Sequence, residues 1–355
     1  MTDTTPGLVC AHHHLYSSLA RGMPAPPQAP HDFRSTLDQI WWRLDAALDL
    51  DMIYWSAALG AAEAALSGTT AIIDHHESPN AIEGSLDAIA DGCALVGVRV
   101  VPSYGVTDRW SNEGRLVDVT PSGPISDAAR RGLAECERFL RTGRRGMVGV
   151  HAAFTCSDAT LAAAADLAER HGVGVHVHVA EGPDDREASH RLASLSRPNW
   201  LLVHCVELRH ELAGTIVHNP RSNMNNSVGY AKPTRFSNAV ALGTDGIGAD
   251  MNEEFRLAFV AGRADSLSFS PDTAWAWLNE GRRLVPEVAD DSVRWNYDHM
   301  DSGWHVAFTP GTRPIDVTID GTKVVSDGQP ASFDLTEIRR KAAEQTERLH
   351  KRLAA

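Results

Sequence analysis

The chain alternates short runs rich in β-branched residues with longer runs rich in alanine and leucine, and this alternation continues along most of its 355 residues. Such a pattern predicts parallel strands joined by helical crossovers. Eight runs have the character of strands: Leu8–His14, Ala71–His76, Val98–Val106, Met147–Phe154, Val173–Ala180, Trp200–Glu207, Thr215–Ser222 and Ala239–Asp245. Eight β/α units predict an α/β fold, a (β/α)8 barrel of the TIM type. A doubly wound open sheet is the alternative arrangement.

The clearest helical runs lie between the first five strands: Asp51–Leu66, Ile82–Val96, Ser126–Arg141 and Asp158–Arg170. Ser157 and Gly172 are residue types preferred just before and just after helices, so they predict the two caps of the fourth helix. Later crossovers are less regular, and Leu208–Ala213 is barely long enough for a turn. The proline-rich run Pro24–Pro30 predicts a stiff loop over the mouth of the barrel.

The C-terminal part of the chain has a different pattern. Four short runs there predict strands: Asp291–Tyr297, Trp304–Thr309, Asp316–Ile319 and Lys323–Val325. Asp320-Gly321 is a hairpin-turn signal, and residues 335–352 predict a charged helix. We therefore expect a barrel over residues 1–285, a small β segment over 286–333 and a terminal helix over 334–355.

Composition narrows the classes of partner. The formal net charge of −13 argues against nucleic acid, because an acidic surface repels the phosphate backbone. No apolar run is long enough to span a membrane, and no basic-then-apolar N-terminus indicates a signal peptide. Five scattered cysteines are typical of reduced thiols and predict a cytoplasmic protein. The expected partner is a small-molecule substrate, and the sequence leaves open a homodimer.

Residues able to bind a metal stand at the ends of four strand-like runs. His12 and His14 are one residue apart, so they share a face if this run is a strand. His178, His204 and Asp245 end three later runs. The carboxyl ends of the strands form the active site of a (β/α)8 barrel, whereas an open sheet would not bring these residues to one crevice. The pattern predicts a metal-dependent hydrolase.

Neighbouring positions add three expectations. His176 shares a face with His178 but lies deeper, where a hydrogen-bonded core histidine is expected. Glu181, three residues after His178, suits a carboxylic acid that shuttles protons above a metal, although a solvated loop glutamate fits equally well. His151 is predicted to contact substrate. The run Met147–Phe154 contains no lysine to bridge two metals as a carbamate, which favours a single metal.

Taken together, these motifs resemble the amidohydrolase superfamily. The resemblance rests on Pro6-Gly7-Leu8-Val9-Cys10-Ala11-His12-His13-His14, on His178-Val179-Ala180-Glu181, and on His204, His218–Asn223 and Gly243-Thr244-Asp245-Gly246 in that order. It is closest to the mononuclear aminohydrolases, which include cytosine, guanine and S-adenosylhomocysteine deaminases and triazine chlorohydrolases. Within this branch, Ile73–Ile89 and Asn223–Gly229 resemble the SsnA group. The resemblance covers roughly residues 6–265.

The resemblance implies one divalent metal, Zn²⁺ with Fe²⁺ as the alternative, held by His12, His14, His178 and Asp245. Asp245 would take a proton from the metal-bound water, and the resulting hydroxide would attack a small heterocyclic or amidine-like substrate. His204 would orient the hydroxide. Glu181 would protonate the ring nitrogen and then the departing ammonia. The implied enzyme is an amidohydrolase-type aminohydrolase, which acts on C–N bonds other than peptide bonds.

His151, Arg221 and Asn223 are the expected substrate-binding residues. Arg221 stands where many relatives carry a small residue, so we expect it to meet an anionic group of the substrate. Only seven residues precede Leu8, whereas relatives carry a longer segment that builds a β-sandwich with the C-terminus. Either the sandwich is reduced or the reading frame starts late.

Three other functions remain open. The first is hydrolysis of a chloro, imino or cyclic-amide centre on the same site. The second is a barrel that binds metal or ligand without turnover. The third is a dinuclear hydrolase of the phosphotriesterase type, which the missing lysine disfavours.

Overall fold

A computed structural model of the protein describes residues 3–354. Its strands, numbered in chain order, are β1 (Thr4–Thr5), β2 (Leu8–His13), β3 (Thr69–His76), β4 (Arg99–Val106), β5 (Val148–Ala152), β6 (Val175–Val179), β7 (Leu201–His204), β8 (Thr215–His218), β9 (Val240–Leu242), β10 (Ser292–Trp295), β11 (Pro314–Ile319), β12 (Thr322–Ser326) and β13 (Gln329–Pro330). Strands β2 to β9 form one parallel sheet in sequence order.

The α-helices are α1 (Phe33–Thr36), α2 (Trp42–Ala47), α3 (Leu50–Leu66), α4 (Ser85–Val96), α5 (Asp127–Arg141), α6 (Asp158–His171), α7 (Ala188–Arg191), α8 (Pro220–Asn225), α9 (Met251–Asp265), α10 (Pro271–Leu284), α11 (Gly303–Phe308) and α12 (Leu335–Ala354). The longer ones cover the outside of the parallel sheet, so the strands are buried on both faces. This burial explains why the strand runs are almost continuously apolar.

The parallel sheet closes between its first and last strands. A bridge joins His13 to Asp245, and the backbone N–H groups of Thr244 and Asp245 donate to the carbonyl of His12 at 3.0 and 3.1 Å. Eight parallel strands closed in this way confirm the predicted (β/α)8 barrel. The closing contacts lie at the carboxyl ends of β2 and β9, where the metal-competent residues were expected.

The predicted caps of α6 are present. The Ser157 hydroxyl accepts a hydrogen bond from the backbone N–H of Thr160, and Gly172 ends the helix with φ of 65°. A positive φ favours glycine because a side chain crowds the backbone in that conformation. The later crossovers are short, as the sequence suggests, with only α7 and α8 between β6 and β9.

Several predicted strand ends change, and the runs Trp200–Glu207 and Ala239–Asp245, for example, end as strands at His204 and Leu242. The strand expected over Thr215–Ser222 ends at His218, because Pro220 starts α8 and fixes the backbone in a helical conformation. The run Pro24–Pro30 does not line the main cavity. The mouth is covered instead by the next segment, in which α1, a π-helical turn over Leu37–Trp41 and α2 follow one another.

The C-terminal strands build a second, antiparallel sheet in the order β1-β10-β11-β12-β13. Its first strand comes from the N-terminal side, through Thr4–Thr5, and the indole N–H of Trp295 donates to the Thr5 hydroxyl at 2.9 Å. The Arg99 guanidinium at the start of β4 contacts both Asp291 carboxylate oxygens at 2.6 Å. These contacts attach the small sheet to the barrel.

One predicted strand of this region is wrong. The run Trp304–Thr309 is not extended, because residues Gly303–Phe308 form α11, whose first turn is capped by Ser302. Its apolar residues pack on α9 and α10 rather than joining the sheet. The predicted charged helix is present as α12. Within the described residues, the structure has no helix that is both long and apolar enough to span a membrane.

Candidate active site

The carboxyl ends of the barrel strands surround a cavity of about 850 Å³. Its lining includes most of the residues predicted to act on metal or substrate: His14, His151, His178, Glu181, His204 and Asp245. His12 lies directly beneath, fully buried in β2. The end of the barrel that closes between β2 and β9 therefore carries the candidate site.

Four candidate ligands bring donor atoms together. The Asp245 Oδ1 atom lies 3.3 Å from His12 Nε2 and 3.0 Å from His14 Nε2. His178 Nε2 lies 3.3 Å from His14 Nε2. His12 forms one cluster of donor atoms with His14 and Asp245 and another with His178 and His204, and the donor atoms within each cluster lie within 4.8 Å of one another. Imidazole nitrogens and a carboxylate oxygen at such spacing fit a divalent cation such as Zn²⁺.

The opposite nitrogen of each imidazole is occupied. His14 Nδ1 lies 2.6 Å from the His75 carbonyl oxygen, and His178 Nδ1 lies 2.7 Å from the His151 carbonyl oxygen. A carbonyl oxygen only accepts hydrogen bonds, so Nδ1 carries the proton in both rings and Nε2 keeps its lone pair for a metal. His12 Nδ1 lies 2.8 Å from His176 Nε2. His176 is the buried, hydrogen-bonded residue that the sequence predicts.

Charge in this cluster is tightly coupled. Burial lowers the pKa of His12 and His178, which keeps both rings neutral and able to coordinate metal. Burial opposes protonation of His14 as well, but contact with Asp245 raises its pKa to about 9. Burial alone would raise the pKa of Asp245, yet hydrogen bonds from His12 and His14 hold it well below its usual range. A cation between them would replace the proton on His14.

His204 ends β7 next to this cluster. Its backbone has φ of 69°, and that of Asp245 has φ of 57°, in the left-handed region that residues other than glycine rarely occupy. His204 Nδ1 lies 2.8 Å from Asn223 Oδ1, and its Nε2 lies 3.9 Å from Asp245 Oδ2. The imidazole thus lies on the Oδ2 side of the Asp245 carboxylate.

The Glu181 carboxyl group lies beside His204. Its Oε2 lies 3.4 Å from His204 Nε2, and its Oε1 accepts a hydrogen bond of 3.3 Å from the Asn226 amide. Burial raises the pKa of Glu181, and although His204 lowers it, the Asp245 charge raises it further, so the carboxyl group holds a proton more readily than an exposed glutamate does. The Ser222 hydroxyl donates a short hydrogen bond to Asp245 Oδ2.

The three predicted substrate contacts have different positions. His151 lines the cavity, with Nδ1 2.8 Å from the Thr155 hydroxyl. Asn223 does not line the cavity and holds His204 instead. Arg221 also lies outside the lining, and its guanidinium pairs with Glu253 at 2.9 Å and with Glu254 at 3.5 Å. This position does not agree with the expected contact between Arg221 and an anionic substrate group.

Comparison with known proteins identifies the chain's relatives. A sequence profile of the Amidohydrolase family matches residues 4–279. The chain belongs to the amidohydrolase family. The 5′-deoxyadenosine deaminase of Methanopyrus kandleri is 27% identical to it over an alignment of 394 residues. The alignment covers 97% of this amidohydrolase and 86% of that relative.

Solved structures have the same architecture. An adenosine deaminase from Xanthomonas campestris with bound zinc has a TM-score of 0.80 and 19% identity, covering 99% of this chain and 86% of its own. Atrazine chlorohydrolase TrzN from Arthrobacter aurescens TC1, complexed with zinc, has a TM-score of 0.79 and 18% identity. The match covers 97% of this chain and 88% of that structure's chain. At these identities the likeness concerns the fold.

The family match confirms the predicted class of enzyme, a hydrolase acting on C–N bonds other than peptide bonds. The converging nitrogen and oxygen donors support a divalent metal in this amidohydrolase. Four acidic residues of the cavity have no counterpart among the predicted site residues: Asp45, Glu77, Asp184 and Asp185. Glu77 directly follows the strand run Ala71–His76, so a search for acidic residues and histidines at strand ends could have predicted it as a site residue. Asp45 comes from α2, where no local pattern distinguishes it.

Proposed function

We propose that this amidohydrolase is a zinc-dependent deaminase that removes the exocyclic amino group from an adenosine-type nucleoside. The observation that carries the proposal is the convergence of the Nε2 atoms of His12, His14 and His178 with Asp245 Oδ1, beside Glu181 and His204. The substrate class is supported by relatives named 5′-deoxyadenosine deaminase, one of which aligns with nearly the whole chain.

We propose His12, His14, His178 and Asp245 as the ligands of the metal. Two imidazoles have Nδ1 tied to a carbonyl oxygen, which orients Nε2 as a donor, and a set of three nitrogens and one oxygen suits zinc. When bound, zinc would supply the Lewis acidity that makes a water molecule nucleophilic near neutral pH.

The remaining groups would move protons and orient the reacting atoms. Asp245 Oδ2 would accept the proton of the attacking water. His204, held by Asn223, would hydrogen-bond to the oxygen that becomes attached to the substrate ring. Glu181 would protonate the ring nitrogen next to the reacting carbon and would then be reprotonated from the hydroxyl group on that carbon. It would pass this second proton to the amino group, which leaves as ammonia, and the proton on Asp245 would return to Glu181. His151 lines the cavity where it would contact the heterocycle.

The first experiment measures metal and ammonia together. We expect about one zinc per chain in protein purified without added metal, as in other mononuclear sites with an open position. The zinc should be lost in the double variant His12→Ala/His14→Ala. The exposed histidines His31 and His190 provide a matched control, because His31→Ala/His190→Ala removes two imidazoles and should keep the metal. Zinc-loaded enzyme should release ammonia from adenosine or 5′-deoxyadenosine.

Other results would point elsewhere. One iron per chain would change the metal but keep the chemistry, whereas two metals would favour the dinuclear hydrolase. No metal, with no ammonia released after zinc is added, would contradict the proposal and favour a barrel without turnover. We propose a cytoplasmic location, which the five free, buried cysteines support. A homodimer stays a prediction.

A further inference from the structure

One wall of the cavity carries two buried carboxylates that the proposed reaction does not use. Asp45 and Glu77 both line the cavity and are only 2% and 3% exposed. A single guanidinium serves both, because Arg109 Nη2 lies 3.1 Å from Asp45 Oδ2 and makes a short contact with Glu77 Oε2. Two carboxylates therefore share one positive charge.

One oxygen of this group is left for a ligand. Asp45 Oδ1 is buried and has no hydrogen-bond partner, although its residue borders the cavity. Burial raises the pKa of Asp45, and the Glu77 charge raises it further, so Asp45 holds a proton more readily than an exposed aspartate does. A cationic donor that enters from the cavity could take the place of that proton. A buried acceptor without a partner is costly, and a donor group entering from the cavity would remove that cost.

The cavity as a whole is also lined mainly by acidic rather than basic side chains. Six of its lining residues are acidic: Asp45, Glu77, Glu181, Asp184, Asp185 and Asp245. Among the described residues that line it, none is lysine or arginine. The Arg109 guanidinium lies behind the wall, 4.6 Å from the centre of the Trp42 ring. Away from the proposed zinc ligands, an anionic group would find no lysine or arginine among the described lining residues, and repulsion by Asp45 and Glu77 in a poorly solvated cleft is strong.

Aromatic side chains complete the surface. Phe33, Trp41, Trp42 and Phe154 line the cavity and give it apolar surface that suits a flat heterocycle. Ring faces also attract a positive charge. The nearest exposed cation, Arg34, stacks on Trp42 at 4.7 Å and is paired with Asp38 at 3.3 Å, so it is not free to neutralise an anion inside.

We propose that Asp45 and Glu77 select substrates by charge: this wall accepts an uncharged or cationic hydrogen-bond donor on the part of the substrate away from the reacting carbon, and it rejects a carboxylate or phosphate there. Asp45 is the specificity-determining residue, because it supplies the unpartnered oxygen. The proposal rests on the proposed deamination of an adenosine-type nucleoside and defines which of those nucleosides the enzyme would use.

The test compares nucleosides that differ only in the charge of the 5′ group. With zinc-loaded enzyme, we expect kcat/KM for 5′-deoxyadenosine and for cationic 5′-amino-5′-deoxyadenosine to exceed that for AMP by at least about tenfold, since like charges brought together in a buried site oppose binding. Asp45→Asn should shrink that ratio several-fold. Asp166→Asn removes the same charge from an exposed face of α6 and should leave the ratio unchanged.

Equal kcat/KM for AMP and 5′-deoxyadenosine in the wild-type enzyme would overturn the proposal. So would an unchanged ratio in Asp45→Asn. If that variant is misfolded, as judged from its unfolding temperature and zinc content, Glu77→Gln is used in its place, because it removes the other carboxylate of the same pair.

A binding measurement separates this proposal from the proposed reaction. The probes are benzamidinium and benzenesulfonate, an aromatic cation and an aromatic anion, titrated calorimetrically into zinc-loaded protein. Tighter binding of benzamidinium that depends on Asp45, without turnover of any nucleoside, would support charge selection and contradict nucleoside deamination. Turnover of nucleosides together with equal binding of the two probes would support deamination and overturn charge selection.

Discussion

At the scale of single residues, the candidate site depends on which nitrogen of each imidazole carries the proton. The carbonyl oxygens of His75 and His151 hold Nδ1–H of His14 and His178, and this leaves Nε2 free in both rings. The orienting groups are backbone atoms of neighbouring strands, so the strand register itself fixes the tautomer. Side-chain substitutions at positions 75 and 151 would leave these two contacts in place.

The Glu181 carboxyl group is expected to move protons rather than hold metal. Glu181→Gln keeps the size of the side chain and its contact with Asn226 but cannot accept or release a proton. We expect full metal content and a fall in kcat of about 10²-fold to 10⁴-fold, the range typical of lost general acid–base catalysis. Ammonia release and metal analysis on the same sample measure both. The exposed Glu187→Gln is the control, and wild-type turnover in Glu181→Gln would reject the assignment.

Asn223 is expected to act through His204. Asn223→Ala removes the acceptor 2.8 Å from His204 Nδ1 and lets the ring rotate. Because a small misplacement of a reacting group lowers catalysis on the order of 10²-fold, kcat should fall while KM and metal content change little. A rise in KM at constant kcat would instead make Asn223 a substrate contact. Exposed Asn199→Ala provides the matched control.

Residues at the ends of strands were the predictable part of the site. A histidine or aspartate at or near the end of a strand-like run can be recognised from the sequence alone, as at His12, His178 and Asp245. Asp45 and Arg221 have none. The position of Asp45 depends on how α2 folds back over the mouth, and Arg221 turns toward Glu253 and Glu254 because those acids lie on the adjoining α9. Such contacts follow from tertiary packing rather than from spacing.

At the scale of elements, the barrel was predictable because its strands are short, apolar and separated by capped helices. Predictions were wrong where a run has similar local preferences for a strand and for a helix. The run Trp304–Thr309 contains valine and aromatic residues that favour a strand, but Ser302 caps α11 and the Trp304 and Phe308 rings stack one helical turn apart. The N-cap was the stronger local signal.

The cap of α6 gives an energetic test at this scale. Ser157→Ala removes the hydroxyl that accepts the Thr160 N–H, in a residue that is 1% exposed. The free energy of unfolding should fall by about 1 kcal/mol, the usual cost of losing such a cap. Urea denaturation measures it, with exposed Ser194→Ala as control. Equal stability of the two variants would show that the hydroxyl does not stabilise the helix.

At the scale of the whole molecule, the barrel and the small sheet share one hydrophobic core, which includes Trp295 and Val317. The Arg99–Asp291 ion pair adds a largely buried polar contact between them. Asp291 also accepts the backbone N–H of Asp320 at 3.1 Å, so it fixes the turn between β11 and β12. Because this pair is far along the chain from the predicted site residues, its loss should change stability more than catalysis.

Asp291→Ala tests that attachment. The Arg99 side chain is only 21% exposed and would lose its partner, so the free energy of unfolding should fall by about 2 kcal/mol, as for other hydrogen bonds to charged groups. Thermal unfolding and kcat are measured side by side. Glu337→Gln breaks an exposed pair with Arg340 and should leave the unfolding temperature unchanged. A loss of kcat without a loss of stability would contradict this role.

The contacts between β2 and β9, which close the barrel, link metal binding to the order in which the chain folds. The contact between His13 and Thr244 spans 231 positions of sequence, and contacts of such long range form late in folding. A nascent chain would display His12 and His14 early but would lack Asp245 until the last strand docked. Metal capture would then mark the end of assembly, and a zinc-sensitive dye in a refolding experiment should respond only after the barrel's fluorescence signal has recovered.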